Sequence, residues 1–157
     1  MATPDFILAL REHIGHAPLW LPGVTAVVVD EARERMIAVR RRDNGQWTPI
    51  TGIIDPGEEP ARAGAREVLE EAGVQARPVR LVSVQALPEI THANGDRAQY
   101  LDLCFLYEYV SGEPHPADGE NTQAQWFPLD ALPPMNERFQ RHVRDALADH
   151  PAARFRA

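Results

Sequence analysis

The chain has 157 residues, of which 44% are hydrophobic and 25% are charged, and its formal net charge is −7 at pH 7. This length and composition predict a single globular domain over residues 1–157 and exclude a long disordered chain. The negative charge argues against duplex nucleic acid as a partner, because binding to DNA depends on basic residues, but it allows a small nucleotide that binds together with a cation.

The single cysteine, Cys104, excludes an internal disulfide. Its place between Leu103 and Phe105 in a predicted strand favours a small buried hydrophobe over a nucleophile. The first residues lack the basic region and apolar core of a signal peptide, and no apolar run approaches the roughly 18 residues of a membrane span. We therefore expect a cytoplasmic protein with no membrane partner.

The first predicted element is a helix within an N-terminal extension, residues 1–16. Thr3 is the predicted N-cap, Pro4 the first helical residue, and Gly15 the end of the helix. The helix carries an apolar stripe made of Ile7, Leu10 and Ile14. This stripe is expected to cover a sheet edge or to form a homodimer interface, and covering is the favoured interpretation.

Two β-branched runs, residues 24–29 and 36–39, predict neighbouring strands joined by a turn. Three arginines, Arg40, Arg41 and Arg42, follow the second run. Adjacent arginines are often only a solvated strand end. In an acidic chain, however, Arg41 or Arg42 could bind a phosphate through a bidentate guanidinium, and both interpretations stay open.

Residues 59–72 predict a helix that gathers three carboxylates on one face. Glu67, Glu70 and Glu71 stand at positions i, i+3 and i+4, where like charges repel unless a cation lies between them. Four apolar residues form a stripe on the other side of the helix: Ala61, Ala65, Val68 and Ala72. The pattern predicts a helix that packs through one face and holds a divalent metal on the other, and the alternative is a solvated acidic face.

The segment before this helix, residues 52–58, is predicted to be a loop, because Pro56 and two glycines interrupt it and allow the backbone to approach a ligand closely. Within the helix, Arg66 can pair with Glu70 four residues later and fix its rotamer, a role that metal sites commonly need.

The sequence matches every fixed position of the Nudix box. The matching residues are Gly52, then after five residues Glu58, and after seven more the run Arg66-Glu67-Val68-x-Glu70-Glu71-x-Gly73-Val74. The chain thus resembles the Nudix hydrolases, which hydrolyse nucleoside diphosphates linked to another moiety. The resemblance implies a single Nudix hydrolase domain with an α/β/α sandwich fold, in which a mixed sheet lies between helices. The residue pattern alone predicts only an α/β or α+β fold.

The resemblance also implies the roles of the site residues. The metal, Mg²⁺ or Mn²⁺ in its place, would be held by Glu67, Glu70, Glu71 and the Gly52 carbonyl. The general base would be Glu67 or, as second choice, Glu120 from a later loop, and Arg66 completes the catalytic set. The expected substrate-binding residues are Arg41, Arg42, Trp47 and Glu58. For Trp47, packing in the core is the favoured interpretation and stacking on a base is the alternative.

Two features bear on the substrate. The family commonly runs Pro-Gly-Gly into the box, whereas this chain has Ile50-Thr51-Gly52 with its proline displaced to Pro49. Pro88 lies about fifteen residues beyond the box, a feature associated with the branch of the family that hydrolyses ADP-ribose. A proline that ends a strand also has an ordinary structural use.

The remaining pattern predicts four further elements. They are a strand over residues 79–87, a long strand over 100–110, a strand with a short helix over 124–130, and a last helix capped by Asn136. The loop between residues 90 and 97 carries a hairpin signal and His92, which is expected to be a loop residue and not a catalytic base. The loop between residues 111 and 122 holds Asp118 and Glu120.

Together these features predict a Mg²⁺-dependent pyrophosphohydrolase whose partner is a small nucleotide, with ADP-ribose or a nucleotide sugar favoured. A nucleoside triphosphate is the alternative substrate, and a Nudix-fold module that senses a nucleotide without cleaving it is the alternative class. Cleavage of capped RNA is disfavoured, because the chain is acidic and shows no basic stripe.

Overall fold

The computed structural model describes residues 3–148 and 150–156. The helices of this part are α1 (Asp5–Ile14), α2 (Pro60–Ala72) and α3 (Glu137–Leu147). The strands are β1 (Leu19–Val29), β2 (Arg35–Arg41), β3 (Trp47–Thr48), β4 (Ile50–Ile53), β5 (Gln75–Ala86), β6 (Ile90–Thr91), β7 (Arg97–Ser111) and β8 (Asn121–Pro128).

One mixed sheet forms the centre of the fold. Its main order is β3-β2-β1-β7-β5, and β4, β8 and β6 pair with β1, β2 and β7 respectively. The central pair β1–β7 is parallel, and every other described pair is antiparallel. Helices α2 and α3 pack against the sheet through separate core clusters. The predicted α/β/α sandwich is therefore confirmed.

Helix α2 has the predicted bounds. Pro60 is its first residue, and Gly73 ends it in the left-handed conformation with φ 67°, its N–H bound to the Leu69 carbonyl at 3.0 Å. Val68 and Ala72 are fully buried in the cluster that α2 shares with the sheet. The apolar face thus packs as predicted and fixes the direction of the acidic face.

Helix α3 also begins where predicted. The Asn136 side chain accepts a hydrogen bond from the Phe139 N–H at 3.0 Å, which satisfies one of the unpaired N–H groups of the first turn. Phe139, Val143 and Ala146 are buried against the opposite face of the sheet, together with Cys104. The prediction that Cys104 is a buried hydrophobe is confirmed.

The N-terminal helix differs from its prediction. Pro4, and not Thr3, precedes the first helical residue, and no side chain caps the helix. Ile7 is buried, whereas Leu10 and Ile14 are 41% and 38% exposed. Helix α1 packs beside residues of β1, β7 and β4, and among the described strands β4 pairs only with β1.

The prediction of a short helix after β8 was wrong. Residues 129–136 form a turn and extended chain before α3. The consecutive residues Pro133 and Pro134 lack the N–H groups that a helix needs, which accounts for the difference. Strand β5 starts at Gln75, earlier than predicted, because its pairing with β7 continues past Pro78 through an irregularity of the register.

No helix within the described ranges is both long enough and apolar enough to cross a membrane.

Candidate active site

An open cleft of about 610 Å³ lies beside α2. Three segments contribute to its wall besides α2: the loop before the helix, the loop before β8 and the start of α1. The lining residues are Pro4, Asp5, Phe6, Asp55, Pro56, Arg66, Glu70, Asp118 and Glu120. Glu70, Arg66 and Glu120, which the sequence placed in one site, therefore do meet at one cleft.

Arg66 is the centre of the charged network. Its guanidinium grips both carboxylate oxygens of Glu58, at 3.0 and 2.9 Å. The same side chain donates to Glu67 at 2.8 Å and to Glu70 at 3.1 Å, and it also binds the Ile53 carbonyl. The predicted pair with Glu70 is present, but the bidentate bond to Glu58 is the larger contact. Arg66 thus ties the loop to the helix.

This network shifts the pKa values of its members in opposite directions. Hydrogen bonds from Arg66 hold the pKa of the Glu58 carboxyl below its ordinary value. The same bonds to Glu58 raise the pKa of the Arg66 guanidinium, so it stays charged. In this structure Glu58 acts on Arg66, and its predicted contact with a substrate stays a prediction.

Glu67 is the most buried of the box carboxylates, with 1% of its surface exposed. Burial raises its pKa to about 8, with Glu71 and Glu70 adding to the shift and Arg66 opposing it. A Cβ built on Gly52 would overlap with the Glu67 carboxyl group, so only glycine lets this side chain lie against the β4 backbone. The structure therefore brings together two of the predicted metal ligands, Gly52 and Glu67.

Glu71 is held by a side chain at the start of β8. It is 3% exposed, and its Oε2 accepts a hydrogen bond from the Asn121 amide at 3.0 Å. Burial raises the pKa of Glu71 to about 7, while the bond from Asn121 and the charge of Arg41 oppose that rise. Glu70, by contrast, has 47% of its side chain exposed. Two box carboxylates are thus buried, and the third faces the cleft.

The chemistry of these residues fits a hard divalent cation. The Glu67 Oε2 atom is buried and has no hydrogen-bond partner, which is a costly state for a carboxylate oxygen that a cation would relieve. In their present positions, no group of three or more acidic, histidine or cysteine side chains within the described ranges is arranged to hold a metal ion. The guanidinium of Arg66 is the cation that contacts Glu67 and Glu70 directly.

The loop before β8 is held in place by Arg42, which follows β2. The Arg42 side chain donates to the Gly119 carbonyl at 2.6 Å, and its backbone N–H donates to the Glu120 carbonyl at 2.9 Å. Asp118 accepts a bond from the Glu120 N–H at 2.9 Å. Arg42 thus positions the loop that carries Glu120, the second candidate for the general base.

Arg41 lies near the site, but its guanidinium makes a bidentate bond to Asp43 at 3.0 and 2.9 Å. Trp47 lies in the cluster on the α3 side of the sheet, where its ring meets Phe127 edge-on with the ring centres 4.8 Å apart. The contacts of Trp47 are those expected for a side chain that packs in the core. The structure therefore does not bring Trp47 to the box carboxylates.

Sequence reasoning missed Asn121 and the start of α1. Asn121 is fifty residues from Glu71, and an isolated asparagine at the start of a strand gives no signal of that contact. Asp5 and Phe6 line the cleft because α1 packs next to β1 and β7, which no local pattern predicts.

Comparisons with known proteins identify the family of this chain. The family model of the NUDIX domain matches residues 20–147. A protein named NAD-capped RNA hydrolase NudC from Chromobacterium violaceum is 33% identical over 163 residues, covering 94% of this chain and 58% of the relative. Its namesake from Pseudomonas aeruginosa strain PAO1 is 37% identical over 103 residues, covering 64% and 34% respectively. This chain thus spans 34% to 58% of the length of these two relatives.

Solved structures show the same fold. A MutT NUDIX hydrolase from Burkholderia pseudomallei superposes with a TM-score of 0.65 and 26% identity, covering 81% of this chain and 98% of that one. An ADP-ribose pyrophosphatase from Streptococcus suis has a TM-score of 0.65 and 21% identity, covering 87% and 98%. At that identity the second structure shows the fold alone. The family model, the complete box and the fold together establish that the chain belongs to the Nudix hydrolase family.

Proposed function

We propose that this protein is a Mg²⁺-dependent pyrophosphohydrolase that cleaves the diphosphate linkage of a nucleoside diphosphate derivative, with ADP-ribose or a nucleotide sugar as the favoured substrate class. The observation that carries the proposal is the buried Glu67 carboxylate, whose Oε2 lacks a partner while Glu70 and Arg66 open onto the cleft. A diphosphate brought there with a cation would satisfy both the carboxylates and the phosphate charge.

The residues that would hold the ion are Glu67, Glu70, Glu71 and the Gly52 carbonyl. When bound, Mg²⁺ neutralises diphosphate charge and polarises the phosphorus for attack by water. A cation beside Glu67 and Glu71 would favour their charged forms, against the burial that raises their pKa values to about 8 and about 7. Arg66 would keep Glu67 and Glu70 oriented through the bonds that it already makes.

The water that attacks the phosphorus must lose a proton, and Glu67 and Glu120 are the two candidate bases. Glu67 belongs to the proposed ligand set itself, whereas Glu120 lines the cleft on the loop that Arg42 holds. Cleavage would give a nucleoside monophosphate and a phosphorylated remainder.

A dinucleotide joined through its diphosphate is the second candidate substrate. It is favoured by the curated relatives, which are named NAD-capped RNA hydrolase. The net charge of −7 argues against a long RNA, so the dinucleotide itself is the form that we would test first. A nucleoside triphosphate, which would release pyrophosphate, and binding without cleavage are the remaining alternatives.

The proposal is tested by assaying ADP-ribose, a UDP-sugar, NAD and the common nucleoside triphosphates with Mg²⁺, with products identified by mass. Glu70→Gln and Glu71→Gln should each remove most of the Mg²⁺-dependent turnover and leave the circular dichroism spectrum unchanged. Glu31→Gln is the matched control, because Glu31 is exposed and lies outside the cleft. Wild-type rates in both box variants would reject the assignment of the acidic face.

Isothermal titration separates the enzyme from a sensing module. Tight binding of a nucleotide with no product after long incubation in Mg²⁺ would support the module. Release of pyrophosphate and a nucleoside monophosphate, from triphosphates alone, would move the assignment to the triphosphate class.

A further inference from the structure

A second cavity, of about 410 Å³, lies on the α3 side of the sheet. Its lining residues come from α3, from β5 and from the C-terminal segment of residues 150–156. This segment adds to the edge of the sheet, since the Arg154 N–H donates to the Val82 carbonyl at 2.8 Å and the Val84 N–H donates to the Arg154 carbonyl at 3.1 Å. The cavity is therefore lined by α3, by β5 and by the C-terminal segment that pairs with β5, and it shares no lining residue with the cleft beside α2.

Three buried polar atoms of residues that line this cavity have no hydrogen-bond partner. They are the Ser83 Oγ, the Arg141 Nε and the His142 Nδ1. Ser83 is 7% exposed and His142 is 1% exposed, so bulk water does not pair with them. Unpaired buried polar atoms are rare in folded proteins, and three around one cavity point to a missing polar partner.

Two of these atoms are hydrogen-bond donors in every state of the protein, and the third, the His142 Nδ1, is a donor in one tautomer of the ring. The Arg141 Nε–H can only donate, and the Ser83 hydroxyl carries a proton. The Gln85 side-chain nitrogen lies 2.6 Å from the His142 Nε2, and in the tautomer whose Nε2 accepts from this amide the ring carries its proton on Nδ1 and adds a third donor. Asp102 lies on the Nε2 side of the ring, 3.4 Å away. The partner that fits such a set is an acceptor.

The charge of the lining favours an anion. Among the described residues that line the cavity, Asp145 is the acidic one, and it pairs with Arg154 at 3.0 Å. Arg141 and Arg156 then leave an excess of positive charge in a protein whose overall charge is −7. Guanidinium groups suit phosphate, which offers several acceptor oxygens at once.

We propose that this cavity binds a small anion that carries a phosphate group, held by Ser83, Arg141 and His142. Its volume is within the range of sites for small organic ligands, so the phosphate can belong to a larger molecule such as a nucleoside monophosphate. A cluster of ordered water would satisfy the same donors without selecting an anion. The experiment below therefore compares phosphate with chloride.

The test is thermal unfolding of the metal-free protein, in EDTA, with inorganic phosphate or AMP added against chloride at equal ionic strength. At a concentration about tenfold above Kd, we expect the Tm to rise by about 3 to 6 °C. Ser83→Ala and Arg141→Gln should lose more than half of this rise. Arg144→Gln is the matched control, since Arg144 is exposed on the same helix, does not line the cavity and carries the same charge.

Nitrogen-15 NMR of the histidine rings gives a second measurement that does not depend on stability. The His142 signal, identified by its loss in His142→Gln, should report a proton on Nδ1 and should shift when phosphate is added. A larger Tm rise with AMP than with phosphate would assign the site to nucleotides, and equal rises would assign it to the phosphate group alone.

Three results would overturn the proposal. The first is a Tm rise no larger than that with chloride, which leaves only water in the cavity. The second is an equal rise in Arg141→Gln and Arg144→Gln, and the third is a His142 signal that does not move with phosphate. Because the measurements use no metal and no turnover, they are independent of whether the protein is a hydrolase.

Discussion

The side chain of Arg66 makes five hydrogen bonds, two of them to Glu58 and one each to Glu67, Glu70 and the Ile53 carbonyl. Arg66→Lys keeps the positive charge but offers one compact ammonium, which can reach about two of these partners. The change therefore isolates the geometry of the guanidinium from its charge.

The expected cost follows from the bonds that are lost. Three lost bonds at about 0.7 kcal/mol each give about 2 kcal/mol, where the value per bond is near the low end of the usual range because the Arg66 side chain is 29% exposed. For a domain of this size that free energy corresponds to a fall in Tm of about 4 to 8 °C.

Urea unfolding followed by circular dichroism, without metal, measures this difference. Arg62→Lys is the control, because Arg62 is exposed on the same helix, and it should change the free energy of unfolding by less than about 0.5 kcal/mol. A double-mutant cycle with Glu58→Gln should give a coupling of at least about 1 kcal/mol. If Arg66→Lys lowered the free energy of unfolding no more than Arg62→Lys does, the bonds of Arg66 would not stabilise the junction between the loop and α2.

Three further changes test other parts of the structure. Asn136→Ala removes the cap of α3 and should lower the free energy of unfolding by about 1 kcal/mol, which urea titration measures, and no loss would reject the cap. Gly52→Ala should displace the Glu67 carboxylate and weaken Mg²⁺ binding in calorimetry while the fold survives, and unchanged binding would exclude this contact from the metal site. Burial raises the pKa of Asp30, but hydrogen bonds from Arg35 outweigh it and hold that pKa below the ordinary value. Its stabilisation should therefore be complete near pH 7 and lost as the pH falls through the lowered pKa, so wild type should exceed Asp30→Asn in stability at pH 7 by more than at pH 3.

Local sequence patterns correctly predicted the helix ends, which are determined by neighbouring residues. The bounds of α2 follow from Pro60 and Gly73, and the start of α3 follows from Asn136, because caps and helix ends depend on neighbouring residues. The meeting of Glu70 and Arg66 was predictable for the same reason, since four residues separate them on one helix.

The parts that the sequence did not predict depend on distant pairing. Strand β5 continues past Pro78 only because β7 is beside it, and Glu71 is held by Asn121 from another strand. The exposure of Leu10 and Ile14 likewise reflects where α1 packs, which its own apolar pattern does not specify. Tertiary contacts override local preference at these positions.

The parallel register of β1 and β7, from Leu19 beside Ala98 to Val29 beside Glu108, has a consequence for how the molecule is made. All of the Nudix box lies in the long chain segment that this pairing closes. During synthesis β1 must wait for β7 to emerge before the middle of the sheet can form, and pairings between such distant segments slow folding. We therefore expect the acidic face of α2 to reach its native surroundings late, after β7 has left the ribosome and paired with β1.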